Sequence, residues 1–77
     1  MSIKVRYFAS LKELVGHDND DCAFVSGMTV LDAWHKVMPE KTMPANILAA
    51  INMEYVSLES VLMDADELAF FPPVTGG

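Results

Sequence analysis

The sequence predicts an α+β fold, a mixed sheet covered on one face by one main helix, on three observations. Residues Ile3 to Phe8 alternate in the period of two that marks a half-buried strand. One stretch, beginning after Thr29, repeats its apolar residues at helical spacing. Two apolar runs in the second half, Ile47 to Ile51 and Glu67 to Phe71, are bounded by turn residues and read as further strands.

Along the first strand, Ile3, Val5 and Tyr7 share one face, with Lys4 and Arg6 on the other. Phe8 falls on the polar side, where an aromatic is either a partner contact or an isolated apolar surface residue. Ser10-Leu11-Lys12-Glu13 has capping-box spacing and opens a short helix that Gly16 stops. His17 to Asp21 reads as a polar loop, and Cys22 to Val25 as a strand returning antiparallel to the first.

Thr29 and Asp32 can cap the main helix, in which Val30, Leu31, Ala33, Trp34, Val37 and Met38 form the apolar stripe and Pro39 is the stop. After Pro44 comes the strand Ile47 to Ile51, a turn near Asn52-Met53-Glu54, and the short strand at Tyr55 and Val56. Ser57 to Met63 is a connector with Leu58, Val61 and Leu62 inward. Asp64-Ala65-Asp66 turns into the last strand, which Pro72-Pro73 ends. Strand, short helix, strand, helix, strand, short strand, strand is the order of a ubiquitin-like β-grasp. We read residues 1–77 as a single domain, with 72–77 an extended, flexible C-terminal tail.

Composition narrows the chemistry. With 11 acidic and 5 basic side chains the net charge is -6, which repels nucleic acid and anionic membrane surfaces and favours a basic protein partner. Cys22 is the only cysteine, leaving no internal disulfide and no thiol cluster for a metal, and a reducing cytoplasm fits. It reads as a buried, inert thiol. The acidic run Asp18 to Asp21 lacks the glycine and glutamate an EF-hand would need at Ala23 and Thr29, and neither His17 nor His35 has a partner at ligand spacing, so no metal site is expected.

The tail is the reactive element. Two prolines fix φ and remove two donors, so the chain leaves the sheet. The four residues beyond Pro73 reach about 13 Å when extended. Gly76 and Gly77 present only backbone to a narrow channel. The terminal carboxylate is ionised at neutral pH and a poor electrophile, so acyl chemistry requires activation, as by transfer of AMP from ATP.

Phe70-Phe71-Pro72-Pro73-Val74-Thr75-Gly76-Gly77 resembles the C-terminal signature of the MoaD family, the small subunits of molybdopterin synthases. Ile3-Lys4-Val5, Phe8-Ala9, Glu13 to Gly16, Ala49 to Asn52, Val56-Ser57, Leu62 and Asp64 to Glu67 extend the resemblance over nearly the whole chain, most weakly from His17 to Ala45. The resemblance implies that an ATP-dependent, ubiquitin-activator-like enzyme adenylates Gly77 with transient C-terminal AMP, and that a sulfur donor protein converts it to a thiocarboxylate. It further implies sulfur transfer to cyclic pyranopterin monophosphate inside a large subunit, in a heterotetramer to which this chain brings sulfur but no complete catalytic site and no resident cofactor. Carried over by position, Gly77 bears the sulfur; Pro73, Val74, Thr75 and Gly76 form the inserted arm; Phe8, Tyr55 and Phe71 form the partner surface. Ala65 stands where the family turn often has glycine, which favours a turn without positive φ. The segment 41–46 is shorter than in some relatives. Alternatives on the same fold are the sulfur carrier of thiazole synthesis and a ubiquitin-like modifier; a non-covalent interaction module is a further class.

Overall fold

The computed structural model describes residues 1–72. Strand β1 (Ser2–Tyr7) leads through helix α1 (Ser10–Val15) to β2 (Asn19–Ala23), and α2 (Val30–Val37) follows. Strands β3 (Leu48–Ile51), β4 (Glu54–Val56) and β5 (Glu67–Phe71) complete a five-stranded sheet of order β2-β1-β5-β3-β4. β1 and β5 run parallel at its centre; the other pairs are antiparallel. This is the β-grasp arrangement anticipated from the element order.

Alternation along the two central strands builds the core. Ile3, Val5 and Tyr7 of β1 and Leu68 and Phe70 of β5 point to one face and are buried. α2 covers that face with Val30, Ala33 and Trp34. The Trp34 ring meets Phe70 edge-on at 5.2 Å between centroids, and Tyr7 edge-on at 6.5 Å, while Tyr7 and Phe70 stack at 6.3 Å. The indole N–H donates to the Lys41 carbonyl at 3.2 Å, which ties the 41–46 segment to the core.

The Thr29 cap forms as read. The Thr29 N–H donates to Asp32 Oδ2 at 2.9 Å, and the Asp32 N–H to Thr29 Oγ1 at 3.2 Å. The bond from the Thr29 backbone holds the Asp32 carboxyl below its ordinary range.

Four local expectations are corrected. The Ser10–Glu13 capping box does not form: Ala9 is the N-cap residue, at φ 55° and ψ -135°, with no side-chain cap. Strand β2 begins at Asn19, inside the expected polar loop, because pairing with Arg6, Val5 and Lys4 draws Asn19, Asp20 and Asp21 into the ladder. Backbone pairing outweighs their low strand propensity. Val61 is exposed: it bridges Thr29 through the backbone while its neighbour Leu62 takes the core position. Ala65 does adopt positive φ, at 70°, in a turn where the Asp66 carboxylate accepts from the Met63 N–H at 2.8 Å.

Tyr7 carries the one polar atom that the inner face of β1 brings toward the core edge. Its hydroxyl donates to Asp20 Oδ2 at 2.9 Å, and His17 Nε2 lies 2.7 Å from the same oxygen. Burial, with the hydrogen bond and charge of Asp20 adding to it, pushes the phenol well above its ordinary value of 10.0.

Two predictions follow from the packing. Phe70→Ala, which empties the space between Tyr7 and Trp34, is expected to cost about 3–5 kcal/mol in urea unfolding. The raised Tyr7 pKa means that above about pH 10 the unfolded chain releases a proton the folded chain keeps, so stability present below that pH is lost as pH rises. In Tyr7→Phe, thermal melts across this alkaline window should lose less than the parent does, despite a lower starting stability at neutral pH.

Candidate functional site

The sheet face opposite α2 carries the residues that alternation turns outward. β1 contributes Lys4 and Arg6, β5 contributes Glu67, Ala69 and Phe71, and Ala50 of β3 lies opposite Ala69 and Tyr55. Phe8, just past β1, remains tied to the sheet: its N–H donates to the Phe70 carbonyl at 3.2 Å.

Register brings the aromatic residues together. Phe8 and Phe71 stack at 4.8 Å with planes 7° apart, and Tyr55 tilts against Phe71 at 5.9 Å. The Arg6 guanidinium lies 5.7 Å from the Phe8 ring centre and its Nη1 3.7 Å from Glu67 Oε2. These groups, with Met53, wall an open groove of about 400 Å³ whose floor is Ala50 and Ala69. The groove grades from a charged end at Arg6 and Glu67 to an apolar end at Tyr55 and Phe71. Tyr55 and Met53 stand 72% and 90% exposed, so the groove's apolar wall is open to solvent.

The exit of β5 adjoins this cluster. Phe70 enters the core and Phe71 the outer face, and Pro72, which has no N–H to donate, follows at once. The expected partner residues Phe8, Tyr55 and Phe71 therefore form one surface at the point where the chain leaves the sheet. The expected reactive residue Gly77 and the arm residues Pro73, Val74, Thr75 and Gly76 lie outside the described residues.

The ThiS family model matches residues 5–77, nearly the full chain. The chain belongs to the ThiS family. This ThiS-family chain is 39% identical to the molybdopterin synthase sulfur carrier subunit of Escherichia coli, over 97% of this chain and 99% of that one. It is 36% identical to the Haemophilus influenzae subunit of the same name, again over 97% and 99%. Among solved structures it is similar to SAMP1 from Haloferax volcanii, at a TM-score of 0.82 and 27% identity with both chains fully covered.

In this ThiS-family chain the three aromatics carried over by resemblance lie together, while their surroundings escaped the sequence reading. Arg6 reads as an ordinary solvated charge until the register sets it over Phe8. Ala50 reads as core within an apolar run, although its pairing with Ala69 and Tyr55 assigns it to the outer face. Met53 was legible only as a turn residue; its side chain at the tip of the β3–β4 hairpin is the detectable signal. Among the described residues no three histidine, cysteine or acidic side chains gather as metal ligands, and no helix is long and apolar enough to cross a membrane. Cys22 is buried, and desolvation raises its thiol pKa.

Because the outer aromatics pack on one another rather than in the core, Phe71→Ala and Phe8→Asp should each change unfolding free energy by no more than about 1 kcal/mol. Urea titration beside the Phe70→Ala variant checks this; a loss as large as that of Phe70 would place these rings in the core.

Proposed function

We propose that this chain is the sulfur-carrier subunit of a molybdopterin synthase. The observation that carries the reading is its near end-to-end similarity to two curated subunits of that name, at 39% and 36% identity. The outer aromatic face supports it, because a carrier must dock on its partner while leaving its terminal residue free to react.

In this reading Gly77 is the reacting residue. Its carboxylate oxygen attacks the α-phosphorus of ATP on an activating enzyme, pyrophosphate leaves, and an acyl-adenylate forms. The outer sulfur of a donor protein's persulfide then attacks the acyl carbon and AMP leaves; a thiol reductant cleaves the resulting acyl disulfide, freeing the terminal thiocarboxylate while the donor sulfur departs in a disulfide with that thiol. Pro73 to Gly76 carry this group into the large subunit, where sulfur passes to the pterin precursor and water restores the carboxylate. Phe8, Tyr55 and Phe71 hold the two proteins together, and the net charge of -6 favours a basic surface around the large subunit's opening. The assembly is a heterotetramer, and it works in the cytoplasm.

A second reading is a protein modifier, in which a lysine amine attacks the same acyl-adenylate. The observation favouring it is the likeness to SAMP1, also described as small archaeal modifier protein 1. Both readings use Gly77, and the products separate them. Incubation with the activating enzyme, ATP and a sulfur donor should yield a species in which one oxygen is replaced by sulfur, read by intact-mass spectrometry. Deleting Gly77 should abolish that species and sulfur transfer while leaving the melting temperature within about 2 °C of the parent, since termini beyond the last strand carry little stability. An active deletion variant would refute the carrier reading. A ladder of heavier conjugates on immunoblots of the full chain, with no sulfur-bearing species, would favour the modifier.

A further inference from the structure

Ala9 occupies a backbone conformation that belongs to glycine. At φ 55° and ψ -135° it sits between Phe8 and α1, where the Leu11 N–H donates to the Phe8 carbonyl at 3.2 Å. That bond closes a four-residue turn with Ala9 first of its two central residues, the type II′ position that glycine ordinarily fills. A Cβ at such a position is strained, and strain of this kind persists only where surrounding structure holds it. Here the holding groups are evident. The Phe8 N–H is bonded to Phe70, the Lys12 N–H donates to the Ala9 carbonyl at 3.1 Å, and Leu11 and Val15 anchor α1 in the core.

The core gains nothing visible from the methyl group of Ala9, whose side chain is exposed. What the turn controls is its neighbour. It fixes the carbonyl of Phe8, and with it the path by which that residue leaves β1 at the angle that stacks its ring 4.8 Å from Phe71 and under Arg6. Glycine would relieve the strain but would admit many more backbone conformations, loosening that angle.

We propose that Ala9 is a positioning residue: it restricts the backbone so that Phe8 is held, before any partner arrives, in the geometry the docking face requires. This rests on the reading of Phe8, Tyr55 and Phe71 as the partner surface. Preorganisation lowers the ordering cost of association, and releasing one side chain costs binding roughly two- to twelve-fold.

A chain of 77 residues is within reach of chemical synthesis, so strain and restriction can be separated. Ala9→Gly removes both. Replacing Ala9 with D-alanine removes the strain but keeps the restriction, since a D-residue is relaxed at positive φ. The melting temperature of both variants should rise by about 5 °C. Calorimetric titration with the large synthase subunit from the same organism should show Ala9→Gly binding roughly five-fold more weakly, with the D-alanine protein at least as tight as the parent. If both variants bind like the parent, or if glycine lowers the melting temperature, the inference is overturned. Phe8→Asp serves as the control. If it binds as well as the parent, the docking face itself is misassigned and the inference falls with it. If it loses binding while the glycine variant does not, the face stands and only the role of Ala9 fails.

Discussion

The two-residue period of β5 is the constraint on which the molecule depends. Held between β1 and β3, this strand cannot rotate, so consecutive phenylalanines are committed to opposite sides. Phe70 closes the core against Trp34 and Tyr7, and Phe71 joins Phe8 and Tyr55 outside. A slip of one residue would bury Phe71 and expose Phe70. The core and the outer aromatic face are thus set by one register of a single sheet.

The same coupling explains the distribution of polar groups. The inner face of β1 ends in Tyr7, whose hydroxyl reaches Asp20 at the sheet margin, so the core meets solvent through a satisfied hydrogen bond. The outer face keeps its charges at one end of the groove, with Arg6 shared between Glu67 and the Phe8 ring. Arg6 and Glu67 are both about half exposed, so the charges keep much of their hydration.

Much of this was legible from residue pattern. Alternation in Ile3 to Phe8 identified the strand and the odd position of Phe8, the Thr29–Asp32 spacing identified the helix start, and the proline pair identified the exit from the sheet. What escaped was whatever depends on long-range pairing. Asn19 to Asp21 look like a loop because polar residues rarely choose a strand by themselves, yet β1 supplies their partners. Ser10 and Glu13 have capping spacing, yet the turn at Ala9 sets the helix entry. Ala50 is indistinguishable from a core alanine until its cross-strand neighbours are known. Of the aromatic trio, alternation marked only Phe8, the resemblance supplied Tyr55 and Phe71, and the groove between them is a product of register.

The parallel pairing of β1 with β5 has a practical corollary. Parallel neighbours start at the same edge of a sheet and finish at the same edge, so Ser2 and Phe71, which the register sets six residues apart, lie at opposite ends of the central strands, about 20 Å apart along them. A fluorophore, an affinity handle or a surface tether placed ahead of Ser2 is therefore carried away from the aromatic groove and from the exit at Pro72. The amino end is the natural place from which to immobilise this protein while leaving the aromatic groove presented to solution.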